Sequence, residues 1–264
     1  MGISQRSFNI LGNVAIVNFS DSASSSYKKE FAEELLRKNK NIKTVLEKSS
    51  RFSGRLRKMQ TRHIAGEKNK EVLYRENECV FRFHIDTTYF SPRLSNERKE
   101  VASLIRKGEK VLVMFAGVAP YSIVIAKKSR AGKVYSNEIN REANKYAKMN
   151  LELNGVRSRV ELINGDIKRI AEKLKKKGEK FEVIVMPRPN LKESFLKQAF
   201  MLSKKGTRIF YYDFCKINEA DLIVEKIQKE ARQYKKKIKI LKIKPAGEIA
   251  PYKIRVRVDF QILK

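Results

Sequence analysis

The second part of the sequence, from about Asn96 onward, alternates short apolar runs with longer stretches that carry apolar residues at helical spacing. Such alternation predicts a parallel sheet with crossover helices, because parallel neighbours need a long connection. The last strand patterns follow one another without a helix between them, so the final strand is expected to be antiparallel. The seven predicted strands are KVLVMFA, GKVYSNE, RVELING, FEVIVM, TRIFYYDF, KIKILKIK and YKIRVRVDFQI.

The first part of the sequence consists mainly of strand patterns. Two apolar runs flank Gly12 and Asn13, a pair that is typical of a hairpin turn. A helix is predicted over Tyr27–Asn39 from the spacing of its apolar residues. We therefore predict a small α+β domain over residues 1–95 and a larger α/β domain over residues 96–264. The further strands predicted in the first domain are KTVLEK, GRLRKMQTRHI, EVLYREN and CVFRFHID.

The chain carries an excess of positive charge that constrains its partners. It has 59 Lys and Arg against 29 Asp and Glu, for a net charge of +30. Such a field attracts polyanions and makes their binding dependent on salt. A hot habitat is the alternative reason for many charged residues, but it does not explain the two-to-one imbalance. The composition therefore predicts nucleic-acid binding.

Other classes of protein are not expected. No apolar run reaches the roughly 18–20 residues of a membrane span, and the N-terminus lacks a basic segment followed by a continuous apolar stretch, so no signal peptide is predicted. Cys79 and Cys215 lie far apart, which favours a reducing cytoplasm over a disulfide framework. With only His63 and His84 as imidazole ligands, no metal site is predicted.

Small and acidic residues follow three neighbouring strands of the predicted sheet. Gly117 follows the first strand in FAGVAP, Glu138 follows the second and Asp166 follows the third. Ligands of open parallel sheets bind at the carboxyl ends of the strands. There Glu138 can accept the ribose hydroxyls of an adenosine, and Asp166 can take the adenine amino group. The alternative is that both acids only cap the following helices. Because no phosphate must be accommodated, the pattern favours S-adenosylmethionine.

The segment YFSPRLSNERKE directly precedes the alternating half of the chain. It places Arg93, Glu97 and Arg98 within six residues. One interpretation is a structural cluster of salt bridges. The other is a carboxylate, flanked by arginines, that removes a proton from a nucleobase.

These segments together resemble a known family. YFSPRLSNER, MFAGVAPYSI, NLELNGV and NGD are similar to segments of the archaeal and eukaryotic tRNA guanine-37 N1-methyltransferases, whose relatives are the wybutosine-pathway aminocarboxypropyl transferases. The similarity extends from FNILGNVAIV to APYKIRVRVDFQI, nearly the whole chain. It implies a class I, Rossmann-like methyltransferase fold with a seven-stranded, mostly parallel sheet whose sixth and seventh strands are reversed. It also implies S-adenosylmethionine as cofactor and tRNA as partner, and we expect a cytoplasmic monomer.

The resemblance also implies roles for individual residues. Glu97 is implied as the general base on guanine N1, and Arg57 as the group that stabilises negative charge on O6. Arg93 favours methyl transfer over aminocarboxypropyl transfer. The residues implied to hold the cofactor are Phe115, Ala116, Gly117, Val118, Glu138, Ile139, Asp166 and Ile167. The residues implied on the substrate side are Arg93, Pro187, Arg188, Pro189 and Asn190.

Four positions depart from the family's pattern, so the substrate pocket is expected to differ. At position 187, where the family has asparagine, Pro187 offers the target base neither a side-chain amide nor an N–H. Arg188 could compensate by reaching a phosphate or stacking on a base, and Asn190 could replace the lost amide. Three functions stay open: methylation of guanosine 37, aminocarboxypropyl transfer, and RNA binding without turnover. The substitutions are Val113 for an acidic residue, Ala119 for glycine, Arg141 for proline, and Pro187 for the asparagine of Asn-Leu-Pro.

Overall fold

The computed structural model of the chain describes residues 8–50 and 54–264, and the chain divides into two compact units after Pro92. The elements of the first unit are β1 (Phe8–Leu11), β2 (Val14–Val17), α1 (Ser25–Lys38), β3 (Thr44–Lys48), β4 (Thr61–Gly66), β5 (Glu71–Glu76) and β6 (Cys79–His84). Strands β1 to β4 form one sheet in chain order, with β2 and β3 parallel, and β5 pairs with β6 as a separate hairpin.

The hairpin predicted around Gly12 is confirmed, because β1 and β2 pair antiparallel with Leu11 opposite Val14. Gly12 has a φ of 55°, and a Cβ there would lie 2.0 Å from the carbonyl oxygen of Leu73. Only glycine fits this turn.

The strand predicted as GRLRKMQTRHI is wrong in its first part. Residues 54–57 form a turn with left-handed φ values of 66° at Gly54 and 52° at Arg57, which a strand excludes.

The second unit contains one seven-stranded sheet and most of the helices. Its elements are a 3₁₀ turn (Pro92–Leu94) leading into α2 (Ser95–Ser103), β7 (Lys110–Val113), α3 (Pro120–Lys128), β8 (Lys133–Glu138), α4 (Arg141–Leu153), β9 (Val160–Asn164), α5 (Ile167–Lys176), β10 (Phe181–Met186), α6 (Leu196–Leu202), β11 (Ser203–Lys216), α7 (Ala220–Gln233), β12 (Ile238–Ala250) and β13 (Lys253–Ile262). The strand order is β12-β13-β11-β10-β7-β8-β9. The chain therefore reverses its direction of travel across the sheet between β7 and β10, the place where such folds bind ligands.

The direction of the last two strands corrects one expectation. Strand β13 lies between β11 and β12 and is antiparallel to both. Strand β12 therefore runs in the same direction as the five central strands, and the reversed sixth strand implied by the resemblance is wrong. Only the last strand is reversed, as its position after a helix-free connection predicts. The seven-stranded, mostly parallel sheet is confirmed.

One hydrophobic core of the second unit lies between the sheet and helices α5, α6 and α7. Leu196, Phe200 and Ile227 are buried in it. Helix α6 begins only at Leu196, ten residues after the end of β10. The carbonyl oxygens of Leu191 and Glu193 accept hydrogen bonds from the Arg188 guanidinium instead of entering a helix.

Three further observations bear on the predicted class of protein. Across residues 8–50 and 54–264, no helix combines the length and apolar character needed to cross a bilayer. The same residues contain no cluster of three or more His, Cys, Asp or Glu that could hold a metal ion. In the described part of the chain, neither Cys79 nor Cys215 is in a disulfide.

Candidate functional site

The loop after β7 turns tightly at the carboxyl edge of the sheet. Phe115, Gly117 and Ala119 all have left-handed φ values, of 58°, 58° and 68°. For the two residues that carry a Cβ this conformation is strained, and packing has to maintain it. The Phe115 ring packs edge-on against Phe195 with 4.9 Å between centroids. Ala119, where the family usually has glycine, adopts a glycine-like conformation directly before α3.

Glu138, at the end of β8, connects two loops. Its Oε2 accepts from the backbone N–H of Gly117 at 2.7 Å, and its Oε1 accepts from the N–H of Asn140 at 2.7 Å. Burial raises the pKa of Glu138, although these N–H groups oppose the shift. A carboxylate has about four acceptor positions. The N–H of Ile139 also bonds the carboxylate, so about one position remains for a hydroxyl group of a ligand.

Three buried asparagines hold the loops together, and the sequence analysis missed them. Asn150 donates to the carbonyl oxygen of Val118 at 3.1 Å. Asn137 donates to the carbonyls of Ile163, within β9, and Gly165, just after β9, at 2.9 and 3.0 Å. Asn144 donates to the Glu138 carbonyl at 3.0 Å. Asn144 and Asn150 occupy the buried face of α4. Because buried polar groups need hydrogen-bond partners, asparagines at such apolar-spaced positions could have indicated this role from the sequence.

The third loop begins α5 at Asp166. The Asp166 carboxylate accepts from the N–H of Lys168 at 3.0 Å and caps the helix. The geometry of Asp166 therefore fits the helix-capping interpretation. Contact of Asp166 with adenine stays a prediction. Ile167 is buried beneath the loop, and Ile139 is half-buried after Glu138. The loops after β7, β8 and β9 thus lie at one edge of the sheet, where neighbouring strands bring them together.

The loop after β10 is organised by Arg188. Its Nη1 donates to Oδ1 of Asp213 at 2.8 Å, its guanidinium lies 5.7 Å from the Tyr211 ring centroid, and the residue is 2% exposed. A guanidinium held in this way shapes the loop and is withdrawn from solvent. Contact of Arg188 with substrate stays a prediction, but its geometry is that of a loop-positioning residue. Asn190 is exposed, and Pro187 and Pro189 are half-buried.

Glu97 lies in α2 and is buried in a network of charges. Its Oε2 accepts from Arg257 Nη1 at 2.8 Å and from the Tyr212 hydroxyl at 3.0 Å, and its Oε1 lies 2.8 Å from Lys244 Nζ. Arg257 also contacts Glu100 and Asp259. Burial raises the pKa of Tyr212 well above its usual value, which keeps this phenol protonated.

The cations on Glu97 come from distant strands, not from its own segment. Arg93 is exposed and donates to the Glu248 carbonyl at 3.3 Å, while Arg98 lies 5.8 Å from the Tyr121 ring centroid. Lys244 is on the edge strand β12 with a quarter of its side chain exposed, whereas Arg257 on β13 is fully buried. Glu97 thus belongs to a network of salt bridges, but its cations are Arg257 and Lys244 and not the arginines of its own segment that the salt-bridge interpretation proposed.

Arg57 belongs to the first unit. It lies in the turn over residues 54–57, and its guanidinium is 5.0 Å from the Tyr89 ring centroid. This contact orients the guanidinium over an aromatic face within its own unit. Its role on guanine O6 stays a prediction.

Comparison with known proteins assigns the chain to a family. Residues 72–241 match the TRM5/TYW2 methyltransferase domain, and residues 3–69 match the TYW2 N-terminal domain. The tRNA (guanine(37)-N(1))-methyltransferase Trm5b of Pyrococcus abyssi is 34% identical over 97% of this chain and 74% of its own length. The tRNA (guanine(37)-N(1))/4-demethylwyosine(37)-methyltransferase Taw22 of Nanoarchaeum equitans is 30% identical over 97% of this chain and 100% of its own length.

Solved structures agree with this assignment. The crystal structure of Trm5b from Pyrococcus abyssi matches with a TM-score of 0.84 at 33% identity, over 98% of this chain and 75% of that one. The complex of aTrm5 with tRNALeu matches with a TM-score of 0.82 at 26% identity, over 98% and 72%. The predicted fold and enzyme class are thereby confirmed, and the chain belongs to the TRM5/TYW2 methyltransferase family.

Proposed function

We propose that this protein transfers a methyl group from S-adenosylmethionine to N1 of guanosine 37 in tRNA. The observation that carries the proposal is the Glu138 carboxylate, which ties the Gly117 loop to the end of β8 and keeps an acceptor position for a ribose hydroxyl. The names of the relatives above support the substrate, and a Methanocaldococcus jannaschii relative of 25% identity, solved in complex with adenosine, supports the nucleoside site.

The residues at the carboxyl edge suit an adenosine without phosphates. The loop over 114–119 contains no Lys or Arg that a phosphate would require. Glu138 would hold the ribose, Asp166 the adenine amino group, and the loop from Phe115 to Val118 the remainder of the cofactor. Bound there, S-adenosylmethionine supplies an electrophilic methyl group on a sulfonium. The protein's part is then to place guanine N1 in line with that methyl group and to remove its proton.

Glu97 is the proposed base. The N1 proton would pass to a Glu97 oxygen as N1 takes the methyl group that bound S-adenosylmethionine would supply, which would leave a neutral thioether. Arg257 and Tyr212 occupy Oε2 inside the fold. Oε1 is held by the partly exposed Lys244, so we assign Oε1 as the proton acceptor, with Lys244 as a counter-ion that guanine displaces. Arg57 is proposed to stabilise negative charge on O6.

The remaining partners follow from charge and composition. The net charge of +30 supports binding of the tRNA backbone. The two cysteines, which are not joined in a disulfide, support a location in the cytoplasm, and we propose that the enzyme acts as a monomer.

The proposal is tested by incubating the protein with labelled S-adenosylmethionine and an unmodified tRNA transcript, followed by mass spectrometry of the nucleosides. We expect 1-methylguanosine with the wild-type transcript and none with a transcript that carries adenosine at position 37. A nucleoside with an added aminocarboxypropyl group indicates the alternative transfer. Cofactor and tRNA binding without any modified nucleoside indicates a non-catalytic RNA-binding protein and contradicts the proposal.

A further inference from the structure

Lysines gather at the edge of the seven-stranded sheet that is opposite the Gly117 loop. Strands β10, β11 and β12 begin at this edge, and helices α5 and α7 end there. Each of these boundaries carries lysines. We define the basal lysine cluster as Lys176, Lys177, Lys180, Lys205, Lys236 and Lys237.

Two lysines of this cluster, Lys180 and Lys236, lie close enough to repel each other. Burial lowers the pKa of Lys180, and the charges of Lys236 and Lys175 lower it further. Lys180 Nζ donates to the Met201 carbonyl at 2.7 Å, which joins the start of β10 to the end of α6. The N–H of Leu263, at the end of β13, donates to the Lys237 carbonyl at 2.8 Å. These two contacts fix the lysine-bearing starts of β10 and β12 against the neighbouring elements.

Carboxylates near this edge do not neutralise the cluster. Glu179 pairs with Lys110, and Glu182 pairs with Lys204. Among the residues that the structure describes, none of the six cluster lysines has a carboxylate oxygen within 4.0 Å, the limit for an ion pair. Four of them, Lys176, Lys177, Lys205 and Lys237, are exposed. Concentrated positive charge of this kind costs stability through self-repulsion, and an external polyanion offsets that cost.

We propose that the basal lysine cluster is a second RNA-binding surface, which contacts phosphates of the tRNA away from the methylated base. This rests on the proposed function for the identity of the RNA. Strand β10 has six residues, so the two edges are separated by about 20 Å at roughly 3.3 Å per residue. A folded tRNA is longer than this separation, and one molecule can reach both edges. Lysine contacts to phosphates carry no sequence information, so the surface contributes affinity and orientation.

The test uses the full chain with Lys176, Lys205 and Lys237 all changed to Gln. The control changes Lys145 and Lys148 on α4 and Lys229 on α7, which are also exposed, to Gln. Affinity for unmodified tRNA is measured over a range of salt concentrations. Each lost phosphate contact lowers the slope of log affinity against log salt by about 0.7–0.9, so the cluster variant should lose about two to three units of slope and bind at least about tenfold more weakly at 0.1 M salt. The control should bind within about twofold of wild type, and Lys→Arg changes at the cluster should preserve affinity.

Methyl transfer and cofactor binding separate this proposal from the proposed function. The cluster variant should bind S-adenosylmethionine as wild type does and keep its kcat at saturating tRNA, with a KM raised at least about tenfold. If methyl transfer occurs but the cluster and control variants have equal tRNA affinity and salt slope, the second surface is overturned alone. If wild type transfers no methyl group but the cluster variant still loses tRNA affinity, the surface stands and the proposed function fails.

Discussion

Arg257 donates from Nη1 to Oε2 of Glu97 at 2.8 Å, although the two residues are separated by 160 positions in the chain. The contact joins α2, which precedes the sheet, to β13, which completes it. Neither side chain is more than 8% exposed. The geometry of the proposed base is therefore set by the last strand of the chain, which lies between β11 and β12 in the sheet.

Replacement of Arg257 by Gln should destabilise the protein by about 3–5 kcal/mol, because Glu97, Glu100 and Asp259 then share a buried region without their common cation. Urea unfolding measures the change. Arg255→Gln serves as the matched control, since Arg255 lies on the same strand but is half-buried over the Phe214 ring. We expect the control to lose less than about 1 kcal/mol. Equal losses in the two variants contradict a special role for the Arg257 contact.

Substitution of Glu97 by Gln should lower kcat for methyl transfer by about 10²–10⁴, because an amide cannot accept the N1 proton. Glu100→Gln is the control. Glu100 lies one turn further along α2 and shares Arg257 and Lys244 as partners, so both variants disturb the same network. Single-turnover rates with saturating cofactor and tRNA measure the difference. If both variants lose activity to the same extent, Glu97 acts through the network and is not the base.

Acid should destabilise the protein in part through Glu100. Burial opposes its ionisation, but hydrogen bonds from Lys244 and Arg257 outweigh this and lower its pKa from 4.5 to about 2. Because the folded state favours the ionised form, this contribution is complete above pH 4.5 and is lost as the pH falls through 2. The free energy of unfolding of Glu100→Gln should therefore vary less than that of wild type over this window. Parallel curves for the two proteins rule out the contribution.

Removal of the Asn150 amide should loosen the loop over residues 114–119, which is proposed to hold the cofactor. Asn150→Ala leaves the buried Val118 carbonyl without this donor, at a cost of about 1–3 kcal/mol in unfolding free energy. If about 1.4 kcal/mol of this cost must be supplied again by S-adenosylmethionine when it orders the loop, the affinity for S-adenosylmethionine falls about tenfold. Calorimetry measures the affinity, and the exposed neighbour Met149, changed to Ala, should leave both quantities unaltered. An unchanged affinity in Asn150→Ala excludes the loop as the point of action.

Many of the residues at the carboxyl edge of the seven-stranded sheet were predictable from the sequence, because the patterns that indicate them are local. Gly117, Glu138 and Asp166 each follow a strand whose apolar run is visible in the sequence, and parallel pairing brings strand ends to one edge. The asparagines behind the loops were harder to predict. Asn150 lies within a segment that resembles the family, but its partner, Val118, is 32 residues away.

The sequence by itself determined the order of strands and helices, the mostly parallel sheet and the family, because burial periodicity and short motifs are properties of neighbouring residues. Only the tertiary structure decided the direction of β12, the burial of Arg188 against Asp213, and the choice of Arg257 and Lys244 as partners of Glu97. The partner of a buried carboxylate depends on which strand, distant in sequence, the fold places next to it. With 59 Lys and Arg in the chain, no local pattern specifies which cation that is.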